Sequence, residues 1–475
     1  MDISEFPLVR VSRPLRLAVL STLVAVAGAV HADGAALNAD QARARAIFEE
    51  LIGIDSTHAH GSTGVARAIA ARLTQAGFPA ADLDLVEPEP GKGSLLVHVR
   101  GAGKQPARMV IGHIDVVEAL PEDWSVPPFT LTERDGYFYG RGTEDMKSGV
   151  ASAVSDLIRL RGEGWTPARD LYFAFTSDEE AGGTLNGVEW LLANRPALRK
   201  VEYVINLDAG GASARDGVPL IMKLQTSEKV YATWELEVTN PGGHSSLPTA
   251  DNAIYRLAHG LTRLEGFHFP VHLTQTTRGF LRGIAPTQPE ALRADLIAVA
   301  DHDDAAAAAR LSKVPVFNAL LRTTCVATRL QAGHSESALP QRAVATIQCR
   351  VMPGEDIAGI EATISRTVAD PAIHIHAVGP ATASPETVVN EALLAGITRL
   401  TQTQWPRLPV VLSMGVGASD SVYPANLGIP AYGVSGMVTD YDDLRMHGRD
   451  ERVRVTAFYG EVDFTYGLIK YLGQP

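Results

Sequence analysis

The sequence predicts an α/β fold: a mostly parallel sheet flanked by helices, with an α+β domain of the ferredoxin-like split arrangement inserted into it. Two observations carry this. Short continuous apolar runs, the mark of strands buried on both faces, alternate with stretches of helical periodicity. Over residues 226–385 the pattern changes to half-exposed alternation, and afterwards the apolar runs return. A third observation concerns chemistry: histidines and acidic residues recur where the apolar runs end.

Taken in order, the first element is an address. Arg10, Arg13 and Arg16 precede the apolar run 17–30, and Val30-His31-Ala32 closes it with small residues. That is the layout of a secretory signal peptide over residues 1–32, although Asp2 and Glu5 make its start untypically acidic. A disordered apolar leader is the alternative. The run is too short to cross a bilayer, which takes about 20 apolar residues, and no other segment reads as a span. The expected product is exported, periplasmic or secreted. Removing three Arg with Asp2 and Glu5 takes away one net positive charge, so −12 becomes −13.

The sheet domain is expected over 38–225 and again over 386–475. Its strands are the runs 109–111, 171–175, 201–207 and 410–412; Val150, Ala153, Val154, Leu157 and Ile158 repeat at helical spacing between the first two. A closing helix is expected over 456–472 with Thr456 as N-cap. Within the inserted 226–385 segment, 230–238 reads as a strand, 250–264 as a helix, 324–330 and 343–351 as strands, 357–368 as a helix and 373–377 as a strand. That is β-α-β-β-α-β. Extra residues near 265–322, including the Ala-rich 305–309, interrupt it.

Composition narrows the function. With 475 residues, 45% hydrophobic and 20% charged, the chain is neither disordered nor fibrous. A net charge of −12 without a basic block argues against nucleic acid and anionic membrane surfaces as partners. Two cysteines exclude a disulfide scaffold and a cysteine zinc finger. Cys325 and Cys349 lie symmetrically about residue 337, within disulfide range on a regular hairpin. Two unpaired buried thiols are nevertheless the preferred reading, because nothing in the sequence pins the register.

The chemistry-bearing residues fall at strand ends. In Gly112-His113-Ile114-Asp115, His113 and Asp115 are two apart and share a face, and a carboxylate commonly fixes a metal-binding histidine's tautomer. Asp145, after Gly140-Arg141-Gly142-Thr143-Glu144, is either a helix N-cap or a carboxylate at the crevice where open α/β sheets bind ligands. Ser177-Asp178-Glu179-Glu180 is either a solvated acidic turn or a ligand beside a general base. Asp208 follows a fourth apolar run, and His447 precedes the closing helix. Two histidines and three carboxylates suit Zn²⁺ or related divalent ions, and one bridging carboxylate suits a two-metal site. A free Glu179 beside Glu180 is what a hydrolytic site requires, and a purely structural cage does not.

Gly112-His113-Ile114-Asp115-Val116-Val117, Gly140-Arg141-Gly142-Thr143-Glu144-Asp145-Met146-Lys147-Ser148-Gly149 and Ser177-Asp178-Glu179-Glu180-Ala181-Gly182-Gly183 resemble the motifs of one family. It is the two-zinc exopeptidase and deacylase family of glutamate carboxypeptidase, aminoacylase and acetylornithine deacetylase. The resemblance runs from about residue 40 to the C-terminus. It implies a zinc-exopeptidase-like catalytic domain with a ferredoxin-like lid. By motif, Asp145 would bridge two divalent metals, with His113 and Asp208 on one and Glu180 and His447 on the other. Asp115 would orient His113, Glu179 would act as general base and then acid, and the Asp145–Met146 peptide would be cis.

In the lid, Gly242-Gly243-His244-Ser245 resembles the motif whose His stabilises the oxyanion, often across a homodimer, and Arg350 matches an Arg that holds the substrate's carboxylate. Four features depart from or narrow the pattern. Ser337 stands where many relatives have Asn, and the usual His-Gly-x-Asn-Glu is His447-Gly448-Arg449-Asp450-Glu451. Trp124-Ser125-Val126-Pro127-Pro128-Phe129 and the long insertion look most like the carboxypeptidase S branch. The implied activity is hydrolysis of a peptide or N-acyl amide bond next to a free carboxylate. An aminopeptidase or dipeptidase of the same family is the alternative, and a non-catalytic metal-binding protein is a more distant one.

Overall fold

The computed structural model describes residues 37–180, 185–379 and 381–475. The leader 1–32 and the Ala181-Gly182-Gly183 end of the third motif lie outside the described residues. Among the described residues no helix is long and apolar enough to cross a membrane.

Three of the sequence's continuous apolar runs, at 109–111, 171–175 and 201–207, become the centre of a ten-stranded mixed sheet. Arg108–His113 lies parallel to Leu171–Thr176 on one side and to Val204–Asn206 on the other, and Ala431–Gly433 continues the parallel set. Antiparallel strands flank it: Leu83–Val86 and Ser94–Val99 at one edge, Gly211–Arg215 and Val218–Glu228 toward the other. Val410–Gly415 pairs in parallel with Val218–Glu228.

Period-two geometry splits each central strand between two cores. Val110, Phe173 and Phe175 pack with helices Ala39–Gly53, Lys147–Gly162 and Val455–Leu472. Met109, Ile111 and Ala174 pack on the opposite face with helix Gly187–Asn194. Each such buried large side chain contributes about 1.5–3 kcal/mol. The expected strand over 201–207 is trimmed to Val204–Asn206. Thr456 is not the cap of the last helix, which begins at Val455 after an extended Arg454 that makes no side-chain cap.

The inserted segment folds around a second sheet whose strand order is Thr324–Ala332, Arg342–Val351, Val230–Thr239, Ile373–Ala377, antiparallel throughout. Helices Ala253–Glu265 and Ile357–Val368 cover one face, enclosing Trp234, Leu236 and Ile347. The first of these helices starts at Ala253, three residues later than expected, because the Asn252 side chain accepts from the N–H groups of Ile254 and Tyr255.

Cys325 and Cys349 stand directly opposite each other in the register and form a disulfide, with Cα atoms 4.1 Å apart. This overturns the free-thiol expectation: the strand pairing that the sequence left open brings the two side chains together.

The interrupting residues form helices Gln275–Ile284, Glu290–His302, Ala305–Leu311 and Pro315–Leu321. These four helices do not join the second sheet's core, which takes only Phe267 and Phe269 from the interrupting segment among the described residues. Leu281, Val299 and Leu311 instead pack with Ile221, Val411 and Met414 of the large sheet. Gly279 and Gly283 let the first helix lie against Leu412 and Val411, where an added Cβ would come within 2.8 and 2.4 Å.

Candidate metal centre

Parallel strands deliver their C-terminal ends to one crevice, which is where open α/β sheets place ligands. His113 is the last residue of its strand, Glu179 and Glu180 follow Leu171–Thr176, and Asp208 follows Val204–Asn206. Asp145 precedes helix Lys147–Gly162, but Met146 takes the N-cap position without a side-chain cap. The Asp145 carboxylate is therefore free for the crevice, and the capping reading fails. The Asp145–Met146 peptide is cis, as the resemblance implied.

The geometry centres on Asp145. Its Oδ1 lies 3.0 Å from His113 Nε2, and its Oδ2 lies 3.0 Å from His447 Nε2. Asp208 Oδ1 is 3.6 Å from the same His113 nitrogen, and Glu180 Oε1 is 2.8 Å from His447 Nε2. Two sets of ligand atoms thus share one carboxylate: His113, Asp145 and Asp208, and Asp145, Glu180 and His447, each within 4.8 Å. A third set joins His113 to Glu179 and Glu180.

Electrostatics fit a cation at this place. Burial pushes the Asp208 carboxyl up to about 6, and repulsion from Asp145 adds to it. Burial also raises Glu179, with Asp208, Asp420 and Glu180 reinforcing the shift. The hydrogen bonds to Asp145 and Glu180 push His447 up to about 10. Burial opposes protonation of His113, but Asp145 and Asp208 outweigh it and raise its pKa. Crowded carboxylates that hold protons on neighbouring histidines are a donor set that divalent ions satisfy by displacing those protons.

Asp115 works differently from expectation. Its strand ends at His113, and the His113 Nδ1–H donates to the Asp115 main-chain carbonyl at 3.0 Å. The Asp115 carboxylate, 3.8 Å from that nitrogen, accepts instead from the Glu179 and Glu180 N–H groups at 3.3 and 3.0 Å. One residue therefore sets the histidine ring through its backbone and the two glutamates through its side chain. The acidic turn also divides: Lys92 neutralises Asp178 at 2.6 Å, which leaves Glu179 and Glu180 to face the cleft.

Glu451, quoted in the sequence only as part of a motif, grips this site. It is fully buried, pairs with Arg141 at 2.6 Å, and accepts from the N–H groups of Gly142, Glu144 and Asp145. It thereby ties the His447 turn to the loop that carries Asp145. Asp450, at the usual Asn position, adopts φ 54° and accepts from the Ser125 N–H at 2.7 Å. Glu228 and Asp420 carried no signal in the sequence. Glu228 is held by the N–H and hydroxyl of Ser419, and burial raises it to about 8; Asp420 is held by Asn186, and burial raises it to about 7.

The structure does not bring the two lid residues into the cleft. His244 is exposed, on a two-residue strand paired with Ala338–Leu339 beside Ser337. The Arg350 guanidinium stacks on Tyr231, 4.8 Å from the ring centre. Neither lines the cleft of about 430 Å³ that holds the ligand sets.

Comparison with known proteins decides the family. The profile of Peptidase family M20/M25/M40 matches residues 109–471. The chain belongs to that family. It is similar to human N-fatty-acyl-amino acid synthase/hydrolase PM20D1, at 30% identity over 373 residues, spanning 76% of this chain and 73% of the relative. It is also similar to a probable carboxypeptidase S-like 2 of Dictyostelium discoideum, at 30% identity over 385 residues, spanning 76% and 71%. In fold it resembles the M20 metallo-carboxypeptidase Sso-CP2 of Sulfolobus solfataricus, with TM-score 0.69 and 18% identity over 90% of this chain and 99% of that one. This member of the M20 family is a metal-dependent hydrolase of the peptidase and amidohydrolase type.

Proposed function

We propose that the protein hydrolyses a peptide or N-acyl amide bond next to a free carboxylate. The observation that carries the reading is the Asp145 carboxylate, one oxygen 3.0 Å from His113 and the other 3.0 Å from His447, with Glu179 alongside Glu180. His113, Asp145 and Asp208 would hold one divalent ion, and Asp145, Glu180 and His447 a second, with Zn²⁺ suiting these donors. Such ions, when bound, lower the pKa of water and polarise a carbonyl.

The chain's own groups do the rest. Glu179, its pKa raised by burial, takes the proton that the attacking water releases and passes it to the departing amine nitrogen. His244 Nδ1 accepts from the Ser246 N–H, so the ring's proton sits on Nε2, ready to donate to an oxyanion. Because His244 lies outside this chain's cleft, a second copy pairing through the lid would deliver it. Tyr441, Leu444 and Met446, exposed at the cleft mouth beside His447, offer apolar surface to an acyl chain or side chain. That surface accords with the N-acyl substrates named for the human relative.

Turnover of N-acyl amino acids and dipeptides, each compared with its C-amidated form, tests the reading. Faster hydrolysis of the free acids supports it; a requirement for a free amine with indifference to the carboxylate contradicts it. Export is tested by N-terminal sequencing: the mature chain is expected to begin after Ala32, and an intact Met1 in the cytosol contradicts this.

A further inference from the structure

The lysine of the cleft has no side-chain partner among the described residues. Lys223 and Gln225, two apart in strand Val218–Glu228, face the cleft, while Met222 and Leu224 enter the core. Across its antiparallel ladder stands Gly211, which puts no side chain opposite the lysine, and across its parallel ladder stands the apolar Val411. Ser213, Met437, Thr439 and Tyr441 complete that side of the cleft. Among the described residues lining it, Lys223 is the only lysine or arginine, against seven carboxylates.

The other lysines around the site are occupied. Lys92 pairs with Asp178, Lys147 donates to the carbonyls of Leu51 and Ile54, and Lys229 donates to that of Arg322. The Lys223 side chain makes no hydrogen bond or ion pair with any described residue. Burial alone acts on its ammonium, pushing the pKa down, with no acid close enough to offset it. Holding a largely buried ammonium without an acidic partner costs free energy, and an anion that reaches it recovers that cost. Arg350, the cation that the motifs offer for this purpose, lies outside the cleft on Tyr231.

We propose that Lys223 is a specificity-determining residue of the cleft, its ammonium receiving a carboxylate of the substrate. The inference rests on the hydrolase reading above and names the group that would enforce its preference for free acids.

The test uses the full-length, metal-loaded enzyme with an N-acetyl amino acid and its C-terminal amide. In Lys223→Met the wild-type ratio of kcat/KM for acid over amide is expected to fall at least tenfold, mainly through KM for the acid. Lys223→Arg is expected to restore part of that ratio. A Lys223→Met enzyme that keeps the wild-type ratio overturns the proposal, and so does equal loss on both substrates. If the wild type hydrolyses neither compound, the hydrolase reading fails separately, and labelling of Lys223 with an amine-reactive reagent decides. Protection by the N-acetyl amino acid and not by its amide supports the proposal; no protection overturns it.

Discussion

Two regions of the molecule hold chemistry in opposite ways. At the candidate metal centre, buried strand ends and the fully buried Glu451 fix His113, Asp145, Glu179, Glu180 and Asp208 through backbone hydrogen bonds. In the lid, the His244 side chain meets Ser246 and the Arg350 side chain stacks on Tyr231, away from the cleft. The difference separates what must be preorganised from what can be delivered. Ligands of one ion must each keep their distance from it to within a few tenths of an ångström, whereas an oxyanion donor need only arrive with the substrate.

That contrast can be broken at its strongest point first. Glu179→Gln removes the base without disturbing the turn that Asp115 holds, so kcat is expected to fall about 10³-fold with metal content retained. Steady-state kinetics beside metal analysis checks this. Glu451→Ala leaves Arg141 buried and unpaired and frees the Asp145 loop; breaking such a pair costs about 3–5 kcal/mol. Denaturant unfolding should show the loss, and metal affinity should fall with it.

His244→Ala is expected to lower kcat about 10²-fold, with stability and metal content held, because the residue is exposed. Loss of metal in that variant would erase the distinction between the two regions. The smallest effect concerns pH. Burial raises the Glu461 carboxyl from 4.5 to about 7, so the native state keeps a proton that the unfolded chain gives up. Its contribution to stability is whole below about pH 4.5 and is lost as pH rises through about 7. Melting temperature measured from pH 5 to 8 should decline less in Glu461→Gln than in the wild type.

The metal centre was legible because strand burial and metal chemistry leave the same mark, an apolar run that stops at a carboxylate or histidine. His113, Asp145, Glu180, Asp208 and His447 meet as the sequence suggested. Asp115 does hold the His113 ring, but through its main-chain carbonyl, while its carboxylate serves two backbone N–H groups, and backbone partners leave no trace in residue identity. Glu228 and Asp420 escaped for the related reason that Ser419 and Asn186 become their neighbours only in the fold. The β-α-β-β-α-β order of the second sheet was readable from periodicity. The packing of Leu281 on Val411 and Met414 was not, since it joins segments that the chain separates by more than a hundred residues.

The central claim is that Asp145 is shared between two metal sites, and counting bound metal tests it most directly. The wild type, loaded with Zn²⁺ and freed of excess, should carry two ions per chain by elemental mass spectrometry. His447→Ala should keep one, and Asp145→Ala should keep neither at the same free concentration. A wild type that binds a single ion, or an Asp145→Ala chain that still binds two, contradicts the account.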